Sequence, residues 1–182
     1  MSMIDFENGE IATLDINVNF TNLIIKNGDT LRAETNNKDI NCKQNNQNLQ
    51  IKEKQHNLFS KKNRGDLIVY VPENLNFKNV KISAGAGKIQ VENINTENLD
   101  LELGAGETII NKLNVTNDCK IESGAGKVSI LSGKIDDLNL DIGIGNIKID
   151  GTKISDDSKY GNGKNIIKID GGIGNIDIEF NK

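Results

Sequence analysis

Apolar and polar residues alternate along most of this chain, and the alternation returns on a fixed beat. Val80, Ile82, Ala84 and Ala86 are followed by Ile89 and Val91. Leu99, Leu101, Leu103 and Ala105 are followed by Thr108 and Ile110. Cys119, Ile121, Ser123 and Ala125 precede Val128 and Ile130; Leu138, Leu140, Ile142 and Ile144 precede Ile147 and Ile149; Ile167, Ile169, Gly171 and Ile173 precede Ile176 and Ile178. Period-two alternation predicts strands with one face buried. Midway through each copy the step is three rather than two, which turns the inward face over, so the chain must bend there. A Gly-x-Gly marks each bend: Gly85/Gly87, Gly104/Gly106, Gly124/Gly126, Gly143/Gly145 and Gly172/Gly174. Each copy therefore reads as strand, glycine corner, strand.

The first glycines of these pairs are 19, 20, 19 and 29 residues apart. A period near 20 predicts stacked coils whose strands pair in parallel, with equivalent residues in columns about 4.8 Å apart. Taken in chain order, one column holds Ile82, Leu101, Ile121, Leu140 and Ile169. A single coil cannot bury its apolar face alone; several stacked coils can. The long last step places an insertion of about ten residues around 155–165, and its turn formers Asp156, Asp157, Gly161, Asn162 and Gly163 predict a loop.

Upstream, Leu14, Ile16, Val18 and Phe20, then Leu23 and Ile25, repeat the pattern with Asn19 and Thr21 in the glycine positions. This reads as a first coil or a cap. Between Asn27 and Val71 the period is lost. Asn27-Gly28 is a hairpin signal; short strands are predicted at 40–42, 49–51 and 67–71, the last ended by Pro72. The expectation is an antiparallel meander that blunts the open end of the stack. The fold class expected is all-β: a parallel β-solenoid of 19–20-residue coils with an N-terminal antiparallel meander. Residues 1–79 would carry the degenerate coil and meander, and 80–182 the five Gly-x-Gly repeats, within one continuous body.

The chain has 182 residues, 22 Lys and Arg against 26 Asp and Glu, a net charge of −4, and no Trp. Mild acidity and 4% aromatic content speak against nucleic acid as a partner, since such partners are gripped by basic surfaces and stacking rings. Two cysteines do not make a disulfide framework. Cys119 falls in the column of Val80 and Leu99 and reads as a small buried apolar residue; Cys42 reads similarly. The first residues show no apolar run, so no secretory leader is expected, and no apolar stretch is long enough for a membrane-spanning helix. As given, the chain would be cytoplasmic.

Outward positions form columns too. Lys81, Asp100, Lys120, Asn139 and Lys168 form one, and Lys88, Glu107 and Lys127 another, which read as solvated ion-pair ladders. Ser83, Glu102, Glu122, Asp141 and Asp170 form a third. Its carboxylates could attract a hard cation, although neighbouring lysines can balance them; no metal or cofactor is assigned. His56 is the only histidine, which leaves no catalytic triad or zinc set. It lies in a basic segment with Leu58, Phe59, Lys61, Lys62 and Arg64, read as a hairpin loop or a contact to anionic surfaces.

The segments Ile82-Ser83-Ala84-Gly85-Ala86-Gly87-Lys88-Ile89 and Ile121-Glu122-Ser123-Gly124-Ala125-Gly126-Lys127-Val128, with the lead-in Leu67-Ile68-Val69-Tyr70-Val71-Pro72, resemble the bacterial β-strand-repeat family of putative adhesins, related to the toast-rack domains. The resemblance covers about residues 12–182. It implies a β-solenoid of unestablished function, often near the bacterial cell envelope. The function expected is a non-enzymatic binding or scaffold module for a protein or glycan. A carbohydrate-active or carbohydrate-binding solenoid using Glu102, Glu122 and Asp141 stays open, as does self-association.

Overall fold

The computed structural model describes residues 2–6, 11–54, 65–134, 137–154, 159–161 and 166–179. Among them the fold is all-β, with no helix. Fourteen strands join one mixed sheet. They are β1 (Ser2–Asp5), β2 (Thr13–Val18), β3 (Asn22–Asn27), β4 (Arg32–Thr35), β5 (Ile40–Asn45), β6 (Asn48–Glu53) and β7 (Asp66–Val71); then β8 (Asn76–Val115), β9 (Cys119–Ile130), β10 (Gly133–Lys134), β11 (Asp137–Ile149), β12 (Thr152–Ile154), β13 (Lys159–Gly161) and β14 (Ile166–Ile178).

The apolar alternation builds rows that lie side by side in register. β2 and β3 form one row, and both pair in parallel with β8: Leu14 with Val80, Ile16 with Ile82, Leu23 with Ile89 and Ile25 with Val91. The 14–25 segment is thus a row of the same kind as the later copies. β8 is long because it supplies two rows, and its second row lies against its first. Lys81 bonds Asp100, Ser83 bonds Glu102 and Gly104 lies against Gly85. The second row of β8 pairs in parallel with β9, and β9 with β14. Ile82, Leu101 and Ile121 are all buried, as an apolar column between two inward faces requires.

The glycine corners are dictated by this register. At Gly106 φ is +131°, where side chains are disfavoured. A Cβ there would overlap the carbonyl oxygen of Gly87 in the row below. A Cβ at Gly104, Gly124, Gly126 or Gly174 would likewise overlap a glycine carbonyl oxygen of the neighbouring row, so these corners need glycine because that row is so close.

Two expectations change. First, the N-terminal strands are not all a meander. β6 and β7 pair in parallel with β2 and β3, Leu49 beside Leu14 and Leu67 beside Leu23. They form a further row, whose apolar residues Leu49, Ile51, Leu67 and Val69 are fully buried. Only β1, β4 and β5 run antiparallel: β5 on β6, β4 on β7 and β1 on β4. The row was hidden because twelve residues separate Glu53 from Asp66 in the sequence, and they carry no Gly-x-Gly and break the repeat.

Second, the last rows do not stack in chain order. β14 lies between β9 and β11, pairing with both in parallel, so Ile169 sits beside Ile121 and Leu140 beside Ile169. On the far side of β11 lie β12 and β13, both antiparallel to it. Lys159–Gly161 of the predicted loop is thus strand; 155–158 and 162–165 fall outside the described residues. Asp150 and Gly151, at φ 47° and 77°, make the tight turn from β11 into β12.

Candidate functional site

Glu102 and Glu122 are half-exposed on the outward face of the sheet containing β2, the first halves of the β8 rows, β9, β14 and β11. Glu102 is in register with Glu122, Glu122 with Asp170, and Asp170 with Asp141. The structure thus brings all four predicted acidic positions onto one line, with Asp141 and Asp170 in the opposite order to that expected. Glu102 Oε2 accepts a hydrogen bond from the Ser83 hydroxyl at 3.0 Å, and its Oε1 lies 3.4 Å from the Lys81 ammonium. Glu122 Oε1 lies 2.6 Å from Lys120 Nζ. Lys81 also donates to Asp100 Oδ2 at 2.8 Å, and this bond chiefly holds its ammonium above its usual pKa. These side chains are a third to a half exposed, so each pair contributes little to stability. Their effect is to neutralise neighbouring carboxylates on a flat face. Among the described residues no three His, Cys, Asp or Glu side chains converge as a metal set, and no helix is long and apolar enough to cross a membrane.

The predicted basic residues Lys61, Lys62 and Arg64 lie outside the described residues. The place from which their segment departs is well defined, and the sequence reading missed it. Glu53 ends β6 and is 8% exposed. Its Oε2 accepts backbone N–H bonds from Asn19, Phe20 and Thr21 at 2.6, 3.1 and 3.3 Å. In the other rows a corner's donors meet the neighbouring corner, as Ala86 N meets Asn19 O at 2.7 Å. Beside the β6–β7 row, the acceptor for these three amides is the Glu53 carboxylate. Asn37 Nδ2 bonds Thr21 Oγ1 at 2.8 Å and Glu53 Oε1 at 3.3 Å. Lys54 N donates to Asp39 O on one side of the departing segment. On the other, Asp66 N donates to Asn36 Oδ1 and Asn22 Nδ2 to Asp66 Oδ1. The only sequence signal was the pair Asn19 and Thr21 standing where glycines stood.

Asparagine columns were missed as well. Asn117 Nδ2 donates to Asn98 Oδ1 at 2.7 Å, and Asn98 Nδ2 to Asn79 Oδ1 at 3.0 Å; Asn114 Nδ2 donates to Asn95 Oδ1 at 2.8 Å. They tie the returns between rows, and their 19-residue spacing was legible. The other outward face is less polar. Half-buried Ile24 pairs with half-buried Ile68, and beside them Arg32 lies 4.2 Å over the Tyr70 ring, a cation–π contact. Ile24 and Ile109 line a shallow hollow with Lys26, Gln90, Glu92 and Asn111.

Residues 11–182 match the family described as Toastrack DUF4097. Among solved structures, a putative cell adhesion protein from Clostridium sporogenes ATCC 15579 superposes with a TM-score of 0.61 at 18% identity, covering 99% of this chain and 98% of that one. A putative adhesin from Bacteroides fragilis NCTC 9343 aligns over 97% of this chain and 96% of that one, with a TM-score of 0.36 and 10% identity. No curated protein compared with the sequence matches it.

Proposed function

The chain belongs to the Toastrack family, and from that premise we propose that it is a non-enzymatic, adhesin-like binding or scaffold module built as a parallel β-solenoid of 19–20-residue coils. The observation that carries this reading is the in-register run of rows from β2 through β8, β9 and β14. It lays outward residues in columns and makes a long, flat, charge-balanced face. Flat faces of stacked rows suit extended partners, a protein or a glycan, better than small molecules, which need concave sites. The candidate contact residues are Glu102, Glu122, Asp141 and Asp170 in the acidic column and Lys61, Lys62 and Arg64 in the basic segment that follows β6 in the sequence. The fold likeness to a putative cell adhesion protein supports a binding role, and the family resemblance suggests the bacterial envelope as the setting.

The test is capture from a lysate of the native host, with the chain immobilised. Wild-type protein retains a partner. A Glu102→Lys/Glu122→Lys variant, or one with Lys61→Glu and Lys62→Glu, loses it. Retention by both variants would remove these residues from the site. The competing reading, carbohydrate action by the acidic column, rests on Glu102 and Glu122 standing in adjacent rows. Retaining glycosidases hold their carboxyl groups about 5–5.5 Å apart, close to one row spacing. Release of reducing ends from a polysaccharide panel, abolished by Glu122→Gln, would establish that reading instead.

A further inference from the structure

The inward positions of β6 are sealed: Leu49 and Ile51 are fully buried. Those of β5, the next strand out, are not. Ile40 and Cys42 touch the core but stay half-buried. Beside them opens a hollow of about 450 Å³. Cys42, Gln44 and Asn46 line it on one side, and Ile4, Asp5 and Phe6 on the other. Among the described residues β5 pairs with β6 alone and β1 with β4 alone. The core at this end is therefore short of one layer, and a sheet edge stands beside the gap.

Register fixes what that edge offers. Lys54 N donates to Asp39 O, and bonded positions in an antiparallel pair recur at every second residue. Asp39, Asn41 and Lys43 thus spend their main-chain groups on Lys54, Lys52 and Gln50 of β6. Cys42 turns its N–H and C=O the other way, to the free edge, while its side chain lines the hollow. A further extended strand would find ladder bonds and an apolar seat at the same residue.

Charge selects the strand. Lys43 is exposed on the outward face, next to Cys42, and forms no ion pair among the described residues. Lys52 and Lys54 share that face of β6; Asp15 takes Lys52 at 3.3 Å, and Lys54 has no such partner. Half-buried Asp39 is the acid at the far end of this edge. A carboxylate directly across from Lys43 stabilises a pairing, and a cation there opposes it. A lysine in the middle of an edge also guards against like strands. A second β5 would set its own Lys43 diagonally across the seam, so a copy of this chain is the poorer fit.

We infer that the free edge of β5 docks an extended acidic segment of another protein, which adds a strand to the sheet, sets alternate apolar side chains into the hollow and turns carboxylates toward Lys43. The inference does not rest on the adhesin-like reading. The acidic column and the basic segment considered above lie outside this site, and either proposal can fail while the other stands.

The probe is a short, capped, fluorescent peptide alternating Glu and Leu, offered to the full chain in a Cys119→Val background. Anisotropy should show saturable binding, weakened about tenfold or more by Lys43→Glu. A peptide alternating Lys and Leu should bind the Lys43→Glu variant and not the parent. Proline in place of the central Leu removes the N–H that meets the Cys42 carbonyl and should abolish binding. A bonded antiparallel pair holds its Cα atoms about 5.5 Å apart, within disulfide range. An acidic peptide whose central Leu is replaced by a thiopyridyl-activated Cys should therefore couple to Cys42, and one with that Cys at the adjacent Glu should not. Absence of binding, equal binding by Lys43→Glu, or coupling at Cys42 from either position overturns the proposal. A Cys42–Cys42 dimer formed by the chain without peptide overturns it too, and gives the edge to a second copy.

Discussion

Glu53 Oε2 lies 2.6 Å from the backbone nitrogen of Asn19, and the same oxygen also satisfies the amides of Phe20 and Thr21. One side chain thus does for this corner what a whole neighbouring backbone does elsewhere. Removing it takes this acceptor from three backbone donors, and an unsatisfied buried polar group costs about 1–3 kcal/mol. Partial entry of water reduces the sum, so Glu53→Ala is expected to lower stability by about 2–4 kcal/mol in urea unfolding. Glu53→Gln keeps an acceptor in place and should cost about half as much. Equal loss in both variants would show that the charge and not the hydrogen bonds holds the corner.

At the stacked corners the backbone itself is the obstacle. Gly106→Ala must push a methyl group into the Gly87 carbonyl at a φ of +131°. Overpacking and backbone strain together predict a loss of about 2–5 kcal/mol, or failure to accumulate as soluble protein. Gly151→Ala is the control. Its added methyl meets nothing within 4 Å at a φ of +77°, so it should cost only about 1–2 kcal/mol. Thermal melts of the two variants give the comparison directly.

Thr108 offers the opposite sign. It is fully buried beside Val128 in the register, and its hydroxyl has no hydrogen-bond partner. Other rows carry Ile89, Val128, Ile147 or Ile176 at this position. Thr108→Val keeps the shape and relieves the desolvated hydroxyl, so it should raise stability by about 1 kcal/mol, a gain of several degrees in Tm. A fall in Tm would mean that the hydroxyl is satisfied in solution.

Burial pushes the Cys119 thiol far above the usual range and the Cys42 thiol up to about 11. In the unfolded chain both thiols release their protons near the ordinary value, so between that value and the folded one unfolding liberates a proton. Stability is complete below the ordinary thiol pKa and falls as the pH rises above it. The Cys42 contribution levels off near pH 11; that of Cys119 goes on falling. Urea unfolding between pH 8 and 10.5 should show a decline of up to about 1.4 kcal/mol per pH unit from Cys119, absent in Cys119→Val.

What the sequence disclosed and what it withheld follow from the same physics. Ile82, Leu101 and Ile121 announced their column because alternation and a constant lap leave one way to bury them. The row at 14–25 was visible through the same spacing despite Asn19 and Thr21. The order of the last rows was not, because Leu140 and Ile169 present nearly identical side chains and pairing rules cannot rank them. The β6–β7 row was hidden because the sequence between Glu53 and Asp66 has neither the length nor the Gly-x-Gly of the repeat. Glu53 was unreadable for a related reason: its partners are backbone amides more than 30 residues away, and a single carboxylate carries no periodic signature. The column of Glu102 and Glu122 was legible because both share the repeat, and Lys120 beside Glu122 was legible with it; the contact of Lys81 with Glu102 runs diagonally between rows and was not.

The antiparallel strands at the two extremities, β4 and β5 at one and β12 and β13 at the other, have a consequence for the molecule's reach. Termination is assigned to the extremities alone, so the interior behaves as an extensible ruler. A duplicate of residues 96–115, which already brings its own corner glycines and the asparagine that clasps Asn79, would lengthen the body by about 4.8 Å and leave both terminations untouched. Length in this architecture is a quantity that gene duplication can tune one step at a time.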